Sequence, residues 1–281
     1  MSKGWLALAL WLLASVCLAQ SPTLDKIRKT GTITLGYVDG ALPFSFVREV
    51  KPEGYSVELC ERVAGELRRS LKLEKLETRW VALTIQNRLE AVRKGQVDLE
   101  CSTTSQTLSR RALVDFSSLT FVDGATVLVR AGDNLRRLGD FGGKRIAVIS
   151  GTTTQPAFAG TLERMRVDAQ LVPVTTRAEG LARLDKGDVD GFAADRITLV
   201  GLALISGNAP AYRLLEEIYT VEPYALALRR GDSDFRLAVD RALAGLYREG
   251  GISEIYAKWF GSLGPPSRLL DALYLLQGYT E

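Results

Sequence analysis

Thr84–Thr103, TIQNRLEAVRKGQVDLECST, and Thr176–Asp195, TRAEGLARLDKGDVDGFAAD, align without a gap at a constant offset of 92 residues. Leu89 falls on Leu181, Lys94 and Gly95 on Lys186 and Gly187, and Val97 and Asp98 on Val189 and Asp190. Each copy has a helical pattern, a glycine suited to a helix end, and then a short strand. Short α/β units also converge on such patterns independently. If the match is a true repeat, the chain holds two similar α/β lobes, each with a loop at the carboxyl end of its strand. At the same offset Thr103 falls on Asp195, so one loop carries hydroxyls and an arginine and the other a carboxylate.

Outward from the first copy, TITLGYV (Thr32–Val38), the helical YSVELCERVAGELRRSLK, LETRWVAL, IQNRLEAVRKG and QVDLEC alternate as βαβαβ. That order predicts a mostly parallel sheet flanked by helices, with ligands bound outside the carboxyl ends of its strands. The extended runs SSLTFVDGATVLVR and EEIYTVEPYALALRRGD are expected to cross to the second lobe and back, forming a hinge. The expected division is residues 1–19 as a leader, 20–120 with 223–281 as the first lobe, and 121–222 as the second.

The leader is read from MSKGWLALALWLLASVCLAQSP: basic Lys3, an apolar run from Trp5 to Leu13, then small residues through Ala14, Ser15 and Ala19. Cleavage is expected after Ala19, with release to the periplasm. Lipid anchoring at Cys17 is the rival reading, disfavoured by bulky Val16 where such a site takes a small residue. Export leaves Cys60 and Cys101 where disulfides persist, so a pairing is expected, with two inert buried thiols as the alternative.

The composition, 46% hydrophobic and 25% charged, is that of a globular protein. A net charge of +3 without a block of like charges argues against nucleic acid as a partner. The chain has no histidine, which excludes a His-based triad, and the two of its three cysteines that export would leave fall short of a zinc site.

TLDKIRKTGTITLGYVDGALPFSF, GYSVELCERVA, TIQNRLEAVRKGQVDLECSTTSQTLSRR, ISGTTTQ, DGFAADR and IYAKWFG together resemble the polar amino-acid binding proteins of bacterial ABC importers, from about Thr23 to Gly261. The nearest subgroup is the glutamate/aspartate-binding proteins, through QNR and the EC-plus-hydroxyl run. The resemblance implies a two-lobed periplasmic-binding-protein fold of the Venus flytrap kind. It further implies no catalysis and no cofactor, a free amino acid and an inner-membrane permease as partners, and a monomer.

Carried onto this chain, the resemblance implies that Arg110 grips the ligand's α-carboxylate. A guanidinium suits that role because it meets a carboxylate with two parallel donors. Thr107, three residues earlier, is a plausible helix N-cap. Thr103 and Ser105 offer hydroxyl or backbone contacts, Thr152 meets the same carboxylate from the second lobe, and Asp195 takes the ammonium. Arg88 reads a second carboxylate. Val38 stands where an arginine is expected, and Arg177 where acidic-ligand relatives carry histidine. Ala41 and Ile85 occupy positions that are aromatic in relatives binding basic ligands.

Read without the resemblance, the hydroxyl run is a turn or cap, Arg88, Arg110 and Arg177 are surface residues and Asp195 is a cap; Arg111 is a surface residue on either reading. Glutamine or another polar neutral amino acid is an alternative ligand. A cyclohexadienyl dehydratase on the same scaffold is an alternative activity, for which Glu100 or Asp39 would be the acid. A receptor's sensing domain is a third class, which a spanning helix would normally follow.

Overall fold

The computed structural model describes residues 21–280; the expected leader, with Cys17 and the Ala19 cleavage point, lies outside the described residues. The chain runs α1 (Pro22–Thr30), β1 (Thr32–Val38), β2 (Phe46–Arg48), β3 (Lys51–Glu53), α2 (Tyr55–Ser70), β4 (Glu77–Leu83), α3 (Arg88–Arg93), β5 (Leu99–Glu100), α4 (Leu108–Arg111) and β6 (Asp115–Asp123). It continues as β7 (Ala125–Arg130), β8 (Arg145–Ile149), α5 (Thr154–Met165), β9 (Gln170–Val174), α6 (Arg177–Asp185), β10 (Gly191–Asp195), α7 (Arg196–Ile205) and β11 (Tyr212–Leu214). β12 (Glu222–Leu228), α8 (Ser233–Arg248), α9 (Gly251–Phe260) and α10 (Arg268–Gln277) complete it.

Two five-stranded sheets result, ordered β4-β1-β5-β12-β6 and β11-β7-β10-β8-β9, one for each lobe. The sheets are mixed rather than mostly parallel. β1 is parallel to β4 and β5, and β8 to β9 and β10, whereas β6, β7, β11 and β12 pair antiparallel. Those four are the strands that leave or enter a lobe at the crossings, which is why their direction opposes the βα units. β6 stays in the first sheet through Asp123 and β12 joins it at Glu222, a few residues from the divisions expected at 120/121 and 222/223.

The 92-residue correspondence is structural. Gly95 follows α3 with φ 68° and Gly187 follows α6 with φ 75°, a left-handed geometry that glycine adopts without a Cβ clash. Asp98 then accepts the backbone N–H of Thr34 at 2.8 Å, and Asp190 that of Arg145 at 2.8 Å, each tying its loop to the neighbouring strand.

The first lobe is held by one face of α2, where Tyr55, Leu59, Val63 and Leu67 recur at helical spacing and are buried. Around Phe44, the rings of Tyr55, Phe121, Tyr224 and Phe260 pack edge-on at 4.9–6.0 Å. Each such burial stabilises by roughly 1.5–3 kcal/mol. A disulfide joins Cys60 of α2 to Cys101 just past β5, with Cα atoms 6.2 Å apart. The edge of β6 is covered rather than left open: Gln277 of α10 accepts from Leu119 N–H at 2.6 Å, and the Tyr247 hydroxyl donates to the Leu119 carbonyl at 2.9 Å.

Candidate functional site

The hydroxyl-rich loop after β5 runs along the start of β12. Gln106 N–H donates to the Pro223 carbonyl at 2.8 Å, and Ala225 N–H to the Thr104 carbonyl at 3.1 Å. Thr107, in extended backbone, caps α4 by accepting from Arg110 N–H at 3.2 Å. The cap starts a single turn that swings Arg110 back over the loop. Its guanidinium donates to the Ser105 carbonyl at 2.9 Å and, across the cleft, to the Gly151 carbonyl at 3.2 Å. Arg111, its neighbour, is exposed.

Arg88 and Arg177 each occupy the first position of a helix, α3 and α6, and both point inward rather than to solvent. Arg88, Arg110 and Arg177 are only 3%, 9% and 5% exposed, so three guanidinium groups share one closed space. Arg88 donates to the Thr103 carbonyl at 3.2 Å, and Arg177 donates from Nη2 to the Thr103 hydroxyl at 3.0 Å. The Nε and Nη1 of Arg177 have no hydrogen-bond partner among the described residues. Burial, with Arg88 nearby, brings Arg110 down to about 10, and burial likewise lowers Arg177 against the pull of Asp195.

Glu100 ends β5 and is fully buried, with neither carboxyl oxygen hydrogen-bonded among the described residues. Burial pushes it up; Arg88 foremost, with Arg110 and Arg177, opposes that shift.

From the second lobe, Gly151 turns the chain out of β8. The Thr152 hydroxyl, expected in the cleft, turns back to the Ile149 carbonyl at 2.7 Å. Thr153 is the residue that reaches across, donating its hydroxyl to Glu222 at 2.6 Å. The Ser105 hydroxyl donates to the same Glu222 oxygen, Oε2, from the first lobe. Asp195, at the end of β10, accepts from the Tyr224 hydroxyl at 2.6 Å, while burial and the Glu222 carboxylate raise its pKa. Gln86 adds two more crossings, to the Ser150 carbonyl at 3.1 Å and the Thr175 carbonyl at 3.2 Å.

The structure thus brings together Arg88, Thr103, Ser105, Arg110, Arg177 and Asp195, and turns the Thr152 side chain away. Val38, Ala41 and Ile85 are buried in the apolar core. Sequence reading missed Thr153, Glu222, Tyr224 and Gln86. Glu222 and Tyr224 are two apart on a strand, hence on one face, and their place at a lobe crossing was the available signal. Among the described residues no group of three His, Cys, Asp or Glu side chains is placed to hold a metal ion.

A family model described as bacterial extracellular solute-binding proteins, family 3, matches residues 33–262. The L-glutamate/L-aspartate-binding protein of Pseudomonas aeruginosa is 31% identical over 249 residues, covering 88% of this chain and 82% of that protein. The glutamate/aspartate import solute-binding protein of Salmonella typhimurium is 27% identical over 252 residues, covering 89% and 83%. The solved structure of an ancestral arginine-binding protein bound to arginine superposes with a TM-score of 0.73 at 25% identity, covering 82% of this chain and 99% of that one.

Proposed function

Because the chain belongs to the bacterial extracellular solute-binding proteins of family 3, we propose that it captures an acidic amino acid, glutamate or aspartate, between its lobes. It is an extracytoplasmic amino-acid-binding protein of an ABC-importer system, delivering its ligand to a membrane permease. We further place it in the periplasm as a monomer.

The observation that supports an acidic ligand is Arg177. Two of its guanidinium nitrogens are buried without a partner among the described residues, beside two more buried arginines. An unsatisfied buried donor costs about 1–3 kcal/mol, and more when charged. A second carboxylate on the ligand, held by Arg177 and Arg88, offsets that cost. Arg110 then takes the α-carboxylate, and Asp195 the ammonium. A basic ligand would instead bring its side-chain cation against Arg88 and Arg177, the buried guanidinium groups at the end of the cleft assigned to the ligand's side chain.

Closure is the second half of the reading. Arg177, Thr153 and Asp195 come from one lobe, Arg88, Ser105 and Arg110 from the other, so the full set of contacts exists only in the closed form. A ligand shifts the equilibrium by that difference alone. The dehydratase alternative loses its acids: Glu100 is sealed below the arginines, and Asp39 is exposed and accepts the N–H groups of Gly40 and Val47 within its own loop.

A thermal-shift screen of the twenty amino acids on the mature protein tests the reading. Ligand at 1,000 times its dissociation constant adds about 4 kcal/mol. Glutamate or aspartate should give the largest shift, and Arg177→Met should remove most of it. A shift from neutral or basic amino acids without one from either acidic one sinks the assignment.

A further inference from the structure

We infer that Glu222 fixes the polarity of the cleft's hydroxyls: by taking the protons of Ser105 and Thr153, it makes both oxygens acceptors for the ligand's ammonium. This rests on the reading of the cleft as an amino-acid site and sharpens it.

A hydroxyl has one proton to donate and two lone pairs. The Glu222 Oε2 accepts the Ser105 hydroxyl from one lobe and the Thr153 hydroxyl from the other, at 2.6 Å for Thr153. With Glu222 only 2% exposed, water does not compete for those protons. Both hydroxyls therefore turn lone pairs, and no proton, toward the cleft. Thr103 has the opposite polarity: its oxygen accepts from Arg177 at 3.0 Å, leaving its proton free to donate.

The cleft is thereby divided. Arg88, Arg110, Arg177 and the Thr103 hydroxyl form an end that donates; Asp195, Ser105 and Thr153 form an end that accepts. An α-carboxylate is excluded from the hydroxyls of Ser105 and Thr153, and an ammonium is drawn to them. Glu222 is a positioning residue: it acts on the ligand through two hydroxyls, held there because the loop bearing Ser105 is hydrogen-bonded along β12 through Gln106 to Pro223 at 2.8 Å.

The test compares L-glutamate with glutarate, which keeps both carboxylates and lacks the amine, by calorimetric titration. Glu222→Met retains the volume and loses the acceptor, so both hydroxyl protons swing into the cleft. Glutamate affinity should fall roughly tenfold, the scale of one charged hydrogen bond, while glutarate binding stays within about twofold or tightens. Glu222→Gln keeps an acceptor oxygen and should retain most of the preference for the amine. Equal loss of both ligands in Glu222→Met, or an unchanged glutamate affinity, overturns the inference. So does a loss of preference in Glu222→Gln as large as in the Met variant, since that would assign the effect to charge alone. If Glu222→Met does not fold, Ser105→Ala and Thr153→Val take its place: each should weaken glutamate and spare glutarate, and equal weakening of both refutes the inference. Should the wild type bind a different amino acid, the acidic-ligand reading fails by itself, and the same comparison is made with that amino acid and its des-amino acid.

Discussion

Tyr224 donates its hydroxyl to Asp195 at 2.6 Å across the cleft, two residues along β12 from the carboxylate that receives Ser105 and Thr153. One face of the returning strand therefore binds both lobes. The Tyr224 ring is 1% exposed and packs on Phe44 and Phe121, so Tyr224→Phe keeps the packing and removes only the hydroxyl. Loss of a hydrogen bond to a buried carboxylate costs about 1.5–3 kcal/mol, and it falls on the closed form. Ligand affinity should drop by roughly ten- to a hundredfold with little change in the melting temperature of the ligand-free protein. Calorimetric titration with parallel thermal melts checks this; unaltered affinity would remove Tyr224 from the closing contacts.

Asp123 ties the first crossing to the start of α7, accepting from Gly124 N–H at 2.8 Å and Ile197 N–H at 3.1 Å. Burial, with Asp195 adding to it, raises its pKa to about 7. Between the unfolded value, about 3.9, and that raised value the folded state holds the extra proton, so stability falls as pH rises. The Asp123 contribution is complete below about pH 4 and lost by the time pH passes its folded pKa. Asp123→Asn, neutral throughout, should flatten that portion of the stability profile. Urea unfolding of both proteins across this window measures it, and parallel profiles would contradict the assignment.

The Cys60–Cys101 bond closes a loop of sequence separation 41. Chain entropy over such a loop predicts a stabilisation of about 4 kcal/mol. Replacing both cysteines with alanine should lower the unfolding free energy by about that much, and more than a marginal domain tolerates at elevated temperature. The bond also anchors the strand end that carries the hydroxyl loop to α2. Denaturant unfolding of the double variant gives the value, and a change below about 1 kcal/mol would show that the loop is constrained equally well without it.

Local features were legible because their signals lie within a few residues. The helix, glycine and strand of each copy and the Thr107 cap follow from short-range spacing, and the structure has each of them; the inward Arg110 was implied by the resemblance, not by spacing. The offset also aligned residues that the fold uses differently. Arg88 falls on Gly180, and there a Cβ would lie 2.5 Å from the Phe192 ring, so α6 packs where a side chain like that of Arg88 has no room. Arg88 and Arg177 looked equally suited to solvent because a helix's first residue has no burial pattern of its own.

The sequence by itself determined the βα units of two lobes and the extended runs that cross between them. The tertiary structure alone decided which hydroxyl of the Gly-Thr-Thr turn enters the cleft, and that Glu222 and Tyr224 face it. Those pairings join residues 69, 117 and 29 positions apart, and the two that cross between lobes, Thr153 with Glu222 and Tyr224 with Asp195, exist only when the lobes meet. Periodicity and capping act over one or two turns of chain, whereas the polarity of a hydroxyl is set by whichever carboxylate the closed fold places beside it.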